Sequence, residues 1–289
     1  MHIELPNAIL GPDGTWTKDV DLLEMQGEEE DILADQTRKP GKGTLLRSGP
    51  QRITDILSRV TRSIGNHTRP DGKDRYDLPD YFAESWRKAY TSDRVFAFIR
   101  LRQLSLGDEY TFSMPCPSCK KEISGITVDL STLKVNNISL EVAEKASHAI
   151  TLPRCGKQIE WRFLSGEGDE TFVENTLKTN KSDHLTVLLS KRLVGVPQSY
   201  EFMRRLSSFD RRYLGMQMDA TEGGIETGIE IGCDGCGSEF ATKIHVTGAS
   251  FFFPSEIDTT KSSTSALSPN AGGGLPKPST DSPSQNEEG

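Results

Sequence analysis

Four of the five cysteines fall in two C-x-x-C pairs, Cys116-Pro117-Ser118-Cys119 and Cys233-Asp234-Gly235-Cys236. Each pair sits between two segments that alternate apolar and polar residues as strands do. A tight turn of this kind points two thiolates at one metal ion, and two turns supply the four sulfurs that close a tetrahedral Zn2+ site. A closed site keeps no coordination position for a substrate. The expected ligands are therefore Cys116, Cys119, Cys233 and Cys236, in a structural role.

The 113 residues between Cys119 and Cys233 exceed what one compact ribbon encloses. A shared site requires two distant hairpins to meet. Separate sites would need further ligands, and His148, His245 and Cys155 are the candidates. A redox pair would open a helix in a βαβ setting, whereas these pairs stand at hairpin tips. Cys155, in Leu152-Pro153-Arg154-Cys155-Gly156-Lys157, reads as a spare thiol in a turn.

No other catalytic pattern emerges. There is no G-x-S-x-G, no phosphate-cradling glycine loop and no histidine set for an open metal site. The carboxylates of Glu28–Asp31 read as the start of a helix. The chain has 289 residues and a net charge of −8, so it offers no broad basic face for nucleic acid. Lys120, Lys121 and Lys243 are the only cations placed to serve a zinc-ribbon nucleic-acid module, which is the alternative reading. No run approaches the roughly 18 apolar residues of a spanning helix, and the start resembles no signal peptide. Synthesis in the cytosol is expected, where thiols stay reduced and metal is favoured over disulfide. The sequence thus predicts a non-enzyme with no small-molecule substrate and no membrane partner.

The fold class expected is α+β, internally duplicated, with two pseudo-symmetric halves of β-hairpins and helices joined at the four-cysteine site. Lys18–Leu33 resembles Lys157–Phe172 at an offset of 139, each a strand, a glycine and an acidic helix start. Tyr110–Cys116 matches Thr227–Cys233 at an offset of 117. Between these, helices are expected at Ile53–Ile64 and Ser92–Leu106 in the first copy. In the second they are expected near Phe172–Leu177 and Ser182–Leu193, with Ser92-Asp93 and Ser182-Asp183 as N-caps. The repeats run 1–135 and 136–254. The tail, 255–289, is rich in Ser, Thr, Pro and Gly and reads as disordered. The run Phe251-Phe252-Phe253 is either core packing or a docking patch for a partner.

Thr91–Phe112 running into Cys116–Cys119, with Glu222–Cys233 and Ser250–Pro254, forms an ordered set of motifs. With Met25–Leu33, Leu45–Gly49 and Leu152–Leu164 in support, it resembles the baseplate hub and hub-assembly family of T-even-like contractile-tailed bacteriophages. The resemblance covers nearly all of 1–254. It implies a non-enzymatic part in building the tail baseplate, with other baseplate and tail proteins as partners. The expected location is the host cytoplasm during assembly and, if the protein is retained, the virion tail.

Overall fold

The computed structural model of the chain describes residues 1–34, 48–170, 184–246 and 249–253. The expected tail, the expected helix at 172–177 and the Ser182-Asp183 cap lie outside them.

Strand β1 (His2–Leu10) folds back on β2 (Trp16–Leu22), and Val20 and Leu22 turn inward while Asp19 faces water. Helix α1 (Gly27–Ala34) opens with Glu28, Glu29 and Glu30 in its first turn, where carboxylates complement the helix dipole. Helix α2 (Gly49–Val60) carries a capping box made by Ser48 and Gln51, each side chain satisfying the other's backbone N–H. Ile53, Ile56, Leu57 and Val60 recur at helical spacing and are buried. The helix expected through Ile64 stops at Val60, because Thr61–Ile64 forms strand β3 and pairs with β2. Strand β4 (His67–Thr68) completes the sheet in the order β1-β2-β3-β4.

Helix α3 (Ala83–Lys88) leads into α4 (Thr91–Leu106). The cap expected at Ser92-Asp93 is not made. Tyr90 is the N-cap, and Asp93 turns to β1, accepting the backbone N–H groups of Asn7 (2.9 Å) and Ala8 (3.2 Å). Strands β5 (Glu109–Pro115) and β6 (Glu122–Asp129) form the first cysteine hairpin. Short strand β7 (Val135–Asn136) and helix α5 (Leu140–Ala143) follow.

A second hairpin, β8 (His148–Thr151) with β9 (Gln158–Trp161), leads to helix α6 (166–170). Helix α7 (His184–Arg192) runs directly into β10 (Leu193–Val194), which pairs with β9 as β3 pairs with β2. Helices α8 (Ser199–Arg205) and α9 (Ser208–Thr221) come next. Strand β11 (Gly224–Ile225) pairs with β7 and ties the second part of the chain to the first. Strands β12 (Gly228–Gly232) and β13 (Glu239–Lys243) form the second cysteine hairpin. Ile244 and Val246 lie just beyond the end of that last strand. Helix α10 (Ala249–Phe252) ends the described chain. The fold is α+β, as expected. Among the described residues, no helix is long and apolar enough to cross a membrane.

Two apolar clusters form the interior. The first gathers the β1–β3 face and α2, α3 and α4 around Phe82, Trp86 and Phe98. Ile244, Val246, Phe251 and Phe252, from the far end of the chain, complete it. The second packs β8–β9 against α7, α8 and α9 around Trp161, Met203 and Leu214. The partner-docking reading of Phe251 and Phe252 is therefore corrected. The Phe251 ring lies 4.9 Å from Tyr110, Phe252 lies 4.9 Å from Phe98, and the Arg102 Nε donates to the Phe251 carbonyl (2.8 Å). Three successive residues cannot share a face, and of the three only Phe253, just past the end of α10, points outward.

Candidate metal centre

Both cysteine turns are built alike. In the first, the Cys116 N–H donates to the Lys121 carbonyl (2.8 Å) and the Lys120 N–H to the Cys116 carbonyl (3.0 Å). In the second, Cys233 donates to Ser238 (2.9 Å) and Gly237 to Cys233 (2.8 Å). Lys120 (φ 64°) and Gly237 (φ 70°) both take the left-handed conformation that closes the turn. Glycine does so without cost, whereas Lys120 stores strain. Gly235 answers a different need. A Cβ there would stand 2.8 Å from the Lys121 Cδ, so the absent side chain lets the first knuckle's lysine pass over the second knuckle.

The hairpin tips meet. The Cys116 Sγ lies 3.8 Å from the Cys236 Sγ, and the Cys119 Sγ lies 3.8 Å from the Cys233 Sγ. All four sulfurs fall within 4.8 Å of one another. A tetrahedron with metal–sulfur bonds of about 2.3 Å has edges of about 3.8 Å, so this spacing suits a single Zn2+. Cys116 and Cys233 are buried and Cys119 and Cys236 exposed, so one sulfur of each knuckle faces the interior and one the solvent. Ser118 and Ser238 add a hydroxyl contact of 3.1 Å across the same junction.

Electrostatics also call for a cation. The Cys119 N–H, together with that of Ser118, holds the Cys116 thiol down to about 6. The Ser238 N–H favours the Cys236 thiolate, yet the sulfurs of Cys119, Cys233 and Cys116 push that thiol up to about 12. Crowded thiols resist losing all four protons, and a divalent ion reverses that resistance by turning mutual repulsion into ligation.

The other candidate ligands stay apart. His148 lies against Trp161 and Phe163, with ring centroids 4.9 and 4.7 Å away. Cys155 is exposed at the β8–β9 turn, where its N–H reaches Asp210. Among the described residues, the four paired cysteines are the one group of three or more potential ligands close enough to share an ion.

Two positioning residues escaped the sequence reading. Asp93 grips β1, and Asp210, which stands 117 residues later, grips the β8–β9 turn through the N–H groups of Arg154 (2.9 Å) and Cys155 (3.3 Å). Asp93 is pushed up to about 7 by burial, with Glu222 adding to the effect, against the amide hydrogen bonds that favour its charge. At Asp210 burial also pushes upward, but the Arg154, Ser207 and Cys155 hydrogen bonds outweigh it and leave the group below the usual range. The shared 117-residue spacing was the available signal.

Residues 77–158 match the family model described as T4 bacteriophage base plate protein. The matched span carries α3, α4 and the first knuckle but not the second. It supports a T4-like phage baseplate protein. No curated protein and no solved structure matches the chain.

Proposed function

We propose that this chain is a non-enzymatic part of a T4-like phage tail baseplate, acting in the hub or in hub assembly. One structural Zn2+, held by Cys116, Cys119, Cys233 and Cys236, clamps its two halves. The baseplate role rests on the family match over residues 77–158, and the clamp rests on the placement of the paired sulfurs. The baseplate match contributes one thiolate pair, and the second pair lies with it, all four sulfurs within 4.8 Å of one another. Such a site contributes folding energy directly and leaves nothing open for a reactant.

The halves are proposed as two repeats, 1–135 and 136–254. The hydrogen bonds argue for this more strongly than the residues do. In each half a hairpin leads to a glycine-started helix, then to a helix running into a third strand, then to a helix pair and a knuckle. In the first hairpin Val20 pairs with Ile3, and in the second Ile159 pairs with Ile150. Counting onward from those pairs sets Asn7 and Ala8 against Arg154 and Cys155, the residues that Asp93 and Asp210 grip. On this reading α4 corresponds to α9 rather than to α7, which replaces the earlier match of Ser92–Leu106 with Ser182–Leu193.

The genetic test is an amber mutation in the phage gene that encodes this chain. The expected result is arrest at the baseplate stage with normal heads and DNA synthesis. Complete, infectious tails would overturn the proposal. Detection of the chain in purified tails separates a retained hub part from an assembly factor.

A further inference from the structure

One half of the molecule has a groove that the chain fills by itself. After α9, Glu222-Gly223-Gly224-Ile225 lies across β1 and the first turn of α4. The Gly223 N–H donates to the Asn7 Oδ1 (2.7 Å), the Asn7 Nδ2 donates to the Gly223 carbonyl (3.1 Å), and the Ser92 hydroxyl donates to the Glu222 Oε1 (2.9 Å). The fit is close enough that a Cβ on Gly223 would stand 2.9 Å from the Pro6 and Asn136 carbonyl oxygens. Further along α4, Phe96 and Ile99 are buried.

The corresponding place in the other half is open. The Asp93 and Asp210 grips set Asn7 against Arg154 and Pro6 against Pro153. The 117-residue spacing sets Ser92 against Phe209, Phe96 against Tyr213 and Ile99 against Met216. Ile99 is 0% exposed, whereas Phe209 is 50% and Met216 59% exposed. The Arg154 guanidinium lies 4.9 Å over the Phe209 ring, and Arg154, Lys157, Arg205 and Arg212 are all exposed. A cleft of about 430 Å³ opens beside them against Phe202. Of the two acids there, Asp210 is already engaged by amide donors, which leaves Glu201 against the cations. An aromatic ring under an arginine, with cations at the rim and an exposed methionine two helical turns away, is the composition of a protein-binding surface.

We infer that the Arg154–Phe209–Met216 face is the docking site for an extended acidic segment of another protein. That segment places a carboxylate, then glycines, then an apolar side chain across Arg154 and Phe209, as Glu222–Ile225 lies across Asn7 and Ser92. Backbone hydrogen bonds and a rim of complementary charge would hold it. The inference rests on the equivalence of the halves and needs neither zinc nor the baseplate role, so it can fail without them.

The test is a fluorescein-labelled peptide with the sequence of residues 219–228, Asp-Ala-Thr-Glu-Gly-Gly-Ile-Glu-Thr-Gly, titrated with the full chain by fluorescence anisotropy. Saturable binding below about 1 mM is expected. It should weaken with added salt, and about tenfold in Arg154→Glu. Met216→Glu should weaken it as well. Both positions are exposed, so an unchanged circular dichroism spectrum and melting temperature will show that the variants fold. Binding that is absent, or that ignores both substitutions, overturns the inference. So does concentration-dependent dimerisation abolished by Phe209→Ser, which would assign the face to a second copy.

Discussion

Replacing Asp93 with alanine removes the acceptor for three N–H groups: the Asn7 amide (2.9 Å), the Asn7 Nδ2 (3.0 Å) and the Ala8 amide (3.2 Å). The Asn7 side chain keeps the Ser92 hydroxyl and the Gly223 carbonyl, so the damage centres on the two backbone amides. A buried donor left without a partner costs about 1–3 kcal/mol, which gives about 2–6 kcal/mol for the pair. The native carboxylate is itself penalised at neutral pH, because burial pushes it up to about 7. That penalty has largely vanished at pH 4, where the carboxyl is protonated in the folded chain, so the expected destabilisation there is about 2–5 kcal/mol and it shrinks as pH rises toward 7. The assay is urea unfolding followed by circular dichroism, with hydrogen exchange to locate the change. Exchange should quicken at Asn7, Ala8 and Gly223 and remain slow at Arg154 and Cys155. A loss below about 1 kcal/mol with those amides still protected would refute the view that Asp93 fastens β1 to α4. Asp210→Ala should show the converse pattern, quickening exchange at Arg154 and Cys155.

Asp93 also sets a pH dependence. Its folded value lies above the unfolded value of 3.8, so its contribution is fully present below pH 3.8 and is lost as pH rises toward 7, by about 4 kcal/mol in all. Asp93→Asn should flatten the stability curve across that window. Gly27 and Gly166, which open α1 and α6, respond oppositely to alanine. A Cβ at Gly166 would stand 1.9 Å from the Arg94 Nη1, whereas Gly27 has open space. Gly166→Ala should lose about 1–3 kcal/mol by thermal melting, and Gly27→Ala should be neutral or gain up to about 1 kcal/mol. Lys120→Gly relieves the left-handed backbone at the first knuckle, and a rise in stability of about 1 kcal/mol is expected in the same melting assay.

What the sequence disclosed was what is local. The C-x-x-C turns, the alternation in β2 and β9, and the glycines that open α1 and α6 are each defined within a few residues. So is α4, whose apolar run is bounded by Gly107. Asp93 was misread because Ser-Asp before an apolar run is also a cap signature, and its true partners lie 85 and 86 residues away. Helix α9 was missed for a related reason. Asp210, Arg211 and Gly215 interrupt its inward face, and Phe209 and Met216 point outward, which blurs the 3.6-residue period. Three successive phenylalanines carry no periodicity at all, so only the packing of Phe251 and Phe252 against Tyr110 and Phe98 assigned them to the core. The acid–amide grips at Asp93 and Asp210 link segments far apart in the chain, and their shared 117-residue spacing is the one trace they leave in the sequence.

The central claim is that thiolates from hairpins more than a hundred residues apart ligate the same ion. Native mass spectrometry of the full chain counts that ion directly. The prediction is one zinc per chain, lost completely in Cys116→Ser and equally in Cys233→Ser. Two zinc ions per chain, or one that persists after either hairpin loses its cysteine, would contradict it.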